Sequence, residues 1–193
     1  MTGSNDKKQD KKQRDQSFTE DFFRSSALDV AEKLVGAIIR TNDVELEIVE
    51  TEAYMPTDSA CHAYKGKTPR TLPMFKKGGC VYVYLCYGMH ILCNVVTGEK
   101  NSGQAVLIRA AKVISGTDIV RERRGGRLDL IGPGKVGQAL GLSVQDSGRK
   151  LGSWFQIYPS KHQNISIKRA KRVGIDYAKP EDRDALWRFI LDV

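Results

Sequence analysis

The fold is indicated first by the segment Val44-Glu45-Leu46-Glu47-Ile48-Val49-Glu50-Thr51-Glu52. Apolar and polar residues alternate in it, which is typical of a β-strand with one face on the core. In a regular strand, Glu50 and Glu52 share the face of Leu46 and Ile48. A carboxylate on that face is costly to desolvate unless it is paired, hydrogen-bonded or open to a pocket. The pattern therefore predicts a strand that carries functional carboxylates.

The segments around this strand predict a mixed α/β (α+β) fold. Residues 26–35 have the apolar spacing of a helix, with Ser25 or Ser26 as its cap and Gly36 as its stop. A strand at 37–40 and a turn at Asn42-Asp43 complete a hairpin with the carboxylate strand. The remaining pattern predicts a long loop at 55–79, strands at 80–87, 91–96, 105–109, 155–157 and 187–190, and helical segments within 115–127 and 132–140.

Charge and composition limit the class of protein. The chain has 193 residues, with 31 basic against 23 acidic side chains, a formal net charge of +8 that suits a polyanionic partner. Residues 1–16 are polar and charged, which predicts a disordered tail, and residues 17–193 are expected to form a single domain. Because no apolar run approaches the ~18 residues that span a membrane, we expect an intracellular protein without membrane contact.

The four cysteines raise the question of a metal site. The run Cys86-x3-His90-x2-Cys93 resembles a ligand cluster, but the chain has no C-x2-C pair. Free buried thiols are the simpler interpretation, and we expect neither a metal nor another cofactor.

Aromatic side chains follow the carboxylate strand at Tyr54, His62 and Tyr64, and a tyrosine-rich segment comes later in the chain at Tyr82, Tyr84 and Tyr87. A carboxylate among flat rings suggests chemistry on another flat ring, with or without a positive charge, although each aromatic residue taken alone is more often a core residue. Two other classes stay open. Glu50 and Glu52 could be the acid/base pair of a sugar-directed glycosidase, or the tyrosines could stack bases in a non-catalytic nucleic-acid-binding module.

Several blocks, in this order, resemble the alkyladenine (3-methyladenine) DNA glycosylase family over roughly residues 18–193. They are Val49-Glu50-Thr51-Glu52-Ala53-Tyr54, His62, Thr68-Pro69-Arg70, Met74-Phe75, Val81-Tyr82-Val83-Tyr84-Leu85-Cys86-Tyr87-Gly88-Met89, Asn94, Val106-Leu107-Ile108-Arg109-Ala110, Gly132-Pro133-Gly134-Lys135, Gln138-Ala139-Leu140 and Arg172-Val173-Gly174-Ile175. The resemblance implies a compact domain around a curved antiparallel sheet with short helices. It also implies excision of alkylated, and some deaminated, purines from double-stranded DNA, without a metal or a lysine Schiff base.

The resemblance assigns expected roles to seven residues. Glu52 would be the general base that activates water, and Arg109 would hold Glu52 or the water. Tyr87 would be a wedge that fills the gap left by a flipped nucleotide. Asn94 would crowd the exocyclic amine of normal guanine. The rings expected to clamp the base are Tyr54, His62 and Tyr84. We expect a monomer that acts on damaged DNA, in the cytoplasm or nucleoid of a bacterium or the nucleus of a eukaryote.

Overall fold

The computed structural model describes residues 16–162 and 164–192. The predicted disordered tail, 1–16, lies outside the described residues except for Gln16. The helices are α1 (Ala27–Leu34), α2 (Thr117–Arg123), α3 (Pro133–Ala139) and α4 (Pro180–Arg183). The strands are β1 (Ile38–Thr41), β2 (Glu45–Tyr54), β3 (Val81–Cys86), β4 (His90–Thr97), β5 (Gln104–Ser115), β6 (Leu130–Ile131), β7 (Phe155–Tyr158), β8 (Ser166–Ala170) and β9 (Arg188–Asp192).

In the described residues these nine strands form one curled antiparallel sheet. The main order is β3-β4-β5-β2-β1-β7, while β6 pairs with β5, and β9 joins β2 to β8. The short helices surround this sheet within one compact domain, so the predicted α+β fold class is confirmed. Among these residues no helix is both long enough and apolar enough to cross a bilayer.

Helix α1 forms where the apolar spacing predicts it. Ser26 is its cap, and the Ser26 side chain accepts a hydrogen bond from the Asp29 amide at 3.2 Å. Its buried face packs against β2 and β5. The helix ends before Gly36, whose φ of 77° suits glycine. A Cβ atom added at Gly36 by substitution would lie 2.8 Å from the Ile165 side chain. The predicted β1–β2 hairpin is also present, with Ile39 opposite Leu46.

The alternation of β2 changes phase in the middle of the strand. Leu46 and Ile48 lie in the core, but so do Thr51, which donates to the Ala31 carbonyl at 2.8 Å, and Ala53. The β2–β5 register is irregular on both sides of Glu50, where the pairing passes over Val49 and Arg109. The expectation that the two carboxylates share the face of Leu46 is therefore wrong, because the irregularity turns them to the opposite side of the sheet.

Some elements have no clear sequence signal. Among the described residues, strand β8 pairs only with β9 and has no buried residue, so it shows no apolar alternation. Strand β6 has two residues, and β5 continues to Ser115, well past the predicted end at 109. The strands predicted at 80–87 and 91–96 and the helix within 132–140 appear as β3, β4 and α3.

Candidate active site

One cavity of about 460 Å³ opens on the side of the sheet away from α1. Strands β2, β3, β4 and β5 form its walls together with the segment 173–177. All seven residues singled out from the sequence line it: Glu52, Tyr54, His62, Tyr84, Tyr87, Asn94 and Arg109.

Sheet register brings two of these residues to the same level. Leu107 on β5 is opposite Asn94 on β4 and opposite Glu52 on β2. Residues in one such row project to the same face of a sheet. The row therefore places the amide of Asn94 and the carboxylate of Glu52 in one cavity.

Glu52 is fully buried, yet its carboxylate is well supplied with donors. Oε1 accepts a hydrogen bond from the Val173 main-chain amide at 2.9 Å, and Oε2 accepts one from the Tyr54 hydroxyl at 2.9 Å. Burial raises the pKa of Glu52 above its ordinary value, while Arg109 and the two hydrogen bonds partly oppose that rise. The result is a carboxylate held in place and readier than usual to take up a proton.

Glu50 has a different environment. Its Oε1 lies 3.0 Å from Arg109 Nε and 3.1 Å from Arg188 Nη1. Arg109 also reaches Glu52, but at a longer distance of 3.5 Å from Nη1 to Oε1. Glu50 is thus held in an ion pair with two guanidinium groups, and Arg109 bridges the two carboxylates.

Three rings of the cavity pack against one another. His62 lies edge-on to Tyr84 with ring centres 4.6 Å apart, and its Nδ1 is 2.9 Å from the Tyr82 hydroxyl. Tyr82 and Tyr84 are tilted neighbours at 5.4 Å. Burial, assisted by the charge of Arg70, lowers the pKa of His62 to about 4, so the imidazole is neutral near pH 7.

Tyr87 stands at the tip of the β3–β4 hairpin. Its side chain is 86% exposed, so the alternative of a core tyrosine is wrong. The backbone is left-handed at both Tyr87 and Gly88, with φ of 49° and 71°. This tight turn projects the ring from the rim of the cavity.

Asn94 is buried in the cavity wall, where its Nδ2 donates to the Tyr82 carbonyl at 3.0 Å. This hydrogen bond ties the amide to the neighbouring strand β3. The side chain is therefore fixed in position and cannot easily yield to a larger ligand.

Sequence reasoning missed a buried ion pair that supports the site. The side chains of Arg172 and Asp58 are fully buried and paired, and Arg172 also donates to the Ala53 carbonyl at 2.9 Å. Its guanidinium lies 4.7 Å from the centre of the Tyr54 ring. Arg172 belongs to one of the blocks quoted above, but nothing in the sequence pairs it with Asp58. The Val173 amide leaves no sequence signal at all, because every residue except proline has one.

No group of three His, Cys, Asp or Glu side chains positioned for a metal ion occurs in residues 16–162 and 164–192. Cys61, Cys80 and Cys93 are buried free thiols, and Cys86 is partly buried. No lysine is among the described residues that line the cavity.

Comparison with known proteins adds a second line of argument. The family model described as "Methylpurine-DNA glycosylase (MPG)" matches residues 21–193. A DNA-3-methyladenine glycosylase of Arabidopsis thaliana is 48% identical over 175 residues, covering 88% of this chain and 69% of that protein. A Chlamydia felis protein provisionally named 3-methyladenine DNA glycosylase is 44% identical, covering 89% of this chain and 94% of its own. A Nitrosococcus oceani protein with the same provisional name is 42% identical, covering 88% and 87% respectively.

Proposed function

This chain belongs to the methylpurine-DNA glycosylase family and is a DNA-repair glycosylase, and we propose that Glu52 activates the water with which it hydrolyses the N-glycosidic bond of a damaged purine flipped out of duplex DNA. The observation that carries the proposal is the fully buried Glu52 carboxylate among the rings of the cavity. No metal or lysine is assigned a role in the reaction.

The first step is extrusion of the nucleotide, since the glycosidic bond is inaccessible inside the duplex. Tyr87 supports this step because a large ring stands free at the hairpin tip and can fill the vacated space. Met89, which is 71% exposed, adds apolar surface on the same hairpin.

The second step is capture of the base. Tyr54, His62 and Tyr84 offer ring faces and edges to a planar base, and stacking contributes ~1–3 kcal/mol per base. A methylated purine carries a positive charge and gains a further cation–π attraction, of up to about 2 kcal/mol when desolvated. Undamaged neutral bases do not gain it. Asn94, fixed by its bond to Tyr82, supports rejection of guanine through its exocyclic amine.

The third step is attack on the sugar. An ionised Glu52 can take a proton from water and stabilise the positive charge that develops on the sugar. The Val173 amide and Arg109 favour the ionised form, whereas burial makes the carboxylate a better base. Arg109 is a positioning residue in this proposal because its shortest contact is with Glu50.

The two alternatives are less well supported. A glycosidase pair would need Glu50 free to give or take a proton, but its Oε1 contacts both Arg109 and Arg188. A module that only stacks bases would not need a buried carboxylate beside the rings.

The decisive experiment uses pure protein and a duplex oligonucleotide with a single 1,N6-ethenoadenine or 3-methyladenine, followed by alkaline cleavage at abasic sites. We expect cleavage at the lesion with the native chain and none with Glu52→Gln. Lack of any abasic product with the native chain would refute the proposal, and equal losses in Glu50→Gln and Glu52→Gln would favour the carboxylate pair.

A further inference from the structure

We infer that Arg70 sets the balance between positively charged and neutral lesions, by placing an uncompensated cation in the wall of the base cavity. This inference rests on the proposed function. It concerns the choice among damaged bases and not the chemical step.

Arg70 reaches the cavity from the long loop after β2. It lines the cavity, and its Cζ lies 5.1 Å from the centre of the Tyr84 ring. The same side chain borders an adjoining groove beside Leu85 and Val144, so the guanidinium stands between two openings. Arg70 thus occupies a cation–π position on one of the rings expected to hold the base.

The charge of Arg70 has no acidic partner in the part of the chain that the structure describes. Salt bridges there within 4.0 Å do not include Arg70, whereas Arg109, the other arginine of the cavity, lies 3.0 Å from Glu50. The two arginines therefore differ in the net charge that they bring to the cavity. Arg109 brings a charge that Glu50 largely compensates, and Arg70 brings a net positive charge to the aromatic side.

Two neighbouring rings already respond to this charge. Arg70 helps burial to lower the pKa of His62, and it opposes the rise that burial causes in the pKa of Tyr82. A charge that acts on His62 must also act on a cationic base stacked against the same rings.

The consequence is a bias that depends on the charge of the lesion. In DNA, 3-methyladenine is a cation, so Arg70 repels it and competes for the Tyr84 ring. The base 1,N6-ethenoadenine is neutral and meets neither penalty. Because Arg70 is exposed, solvent screens its field, and we expect an effect of about three- to tenfold and not of many orders of magnitude.

The test compares two single-turnover excision rates, for 3-methyladenine released from methylated duplex DNA and for 1,N6-ethenoadenine in a duplex oligonucleotide. The measured quantity is the ratio of the first rate to the second. Arg70→Gln should raise this ratio about three- to tenfold. Arg70→Lys keeps the charge and should keep the ratio within about twofold of the native value. Lys67→Gln is the matched control, since Lys67 is in the same loop but outside the cavity wall, and it should leave the ratio unchanged.

The possible results test the inference about Arg70 separately from the proposed function on which it rests. Equal loss of both rates in Arg70→Gln would mean a phosphate contact alone and would overturn the inference. A ratio raised equally by Gln and Lys would show that shape and not charge is decisive, which also overturns it. If the native chain released neither base, the proposed function itself would fall, together with this inference.

Discussion

The main-chain amide of Val173 donates a hydrogen bond to the Glu52 carboxylate, at 2.9 Å and across 121 residues of sequence. A hydrogen bond to the charged form favours ionisation, so this amide limits the rise in pKa that burial imposes. Proline is the one substitution at position 173 that would remove this main-chain donor. The position of the amide depends on the buried pair formed by the preceding residue, Arg172, with Asp58.

Asp58→Asn should weaken both the fold and the chemistry. Breaking a buried ion pair costs about 3–5 kcal/mol of unfolding free energy, because Arg172 is left with an uncompensated charge. The Val173 amide should also move away from Glu52. Since Glu52 must be ionised to act, a further rise in its pKa moves the acidic limb of the excision rate to higher pH. Denaturant unfolding and a pH–rate profile measure the two effects.

Asp184→Asn is the control for this substitution. Asp184 forms ion pairs with Lys171 and Arg183 on the surface nearby, and its loss should change neither stability nor the pH profile measurably. If Asp58→Asn lowered stability but left the acidic limb in place, the pair would be structural only.

Glu52→Gln and Glu50→Gln should have opposite effects on activity and stability. A carboxyl whose pKa is raised on folding stabilises the fold below its unfolded pKa, and this contribution is lost as the pH rises through the folded value. At neutral pH, Glu52→Gln should therefore abolish excision without lowering the free energy of unfolding. Glu50→Gln should keep most excision but cost about 1–3 kcal/mol, because Arg109 and Arg188 lose their shared partner. Single-turnover excision rates measure the change in activity, and denaturant titration measures the change in the free energy of unfolding. A large loss of stability in Glu52→Gln would contradict this prediction.

Local signals explain which parts of the fold could be predicted. The Ser26 cap and the Gly36 stop act over a few residues, and each appears where the sequence places it. The phase change near Glu50 could not be predicted, because it is a property of two strands together and involves Arg109 on β5. Strand β8 was missed because an exposed edge strand needs no apolar pattern.

The candidate site, like the fold, could be predicted only in part from the sequence. Its side chains could be chosen from the family blocks, and the structure brings all seven to one cavity. Two supports of Glu52 could not be predicted, since one is a main-chain amide and the other is the Arg172–Asp58 pair, joined across 114 residues. Arg109 illustrates the limit, because the sequence offered Glu52 or water as its partner and the structure adds a closer one in Glu50.

Tyr87→Gly should impair the extrusion of the nucleotide without destabilising the fold. Glycine relieves the left-handed conformation at this position, where φ is 49°, so stability should be unchanged or higher by up to about 1 kcal/mol. Excision from duplex DNA should fall at least about tenfold, whereas excision from single-stranded DNA, which requires no extrusion, should change far less. Tyr87→Phe keeps the ring and should keep duplex activity. Equal losses on both forms of DNA would rule out a wedge.

Asn94→Ala should relax the exclusion of normal guanine. The shortened side chain leaves space in the cavity wall, and the exocyclic amine of guanine then no longer meets the Asn94 amide. The Tyr82 carbonyl loses its 3.0 Å donor, so we expect a loss of about 1–2 kcal/mol of stability. Release of free guanine from undamaged duplex DNA measures the new activity on normal guanine, with excision of 1,N6-ethenoadenine as the reference. Asn94→Leu removes the same hydrogen bond but keeps the bulk, so it should lose similar stability and still exclude guanine. If Asn94→Ala remained active on 1,N6-ethenoadenine without releasing guanine, some other group would have to exclude the amine.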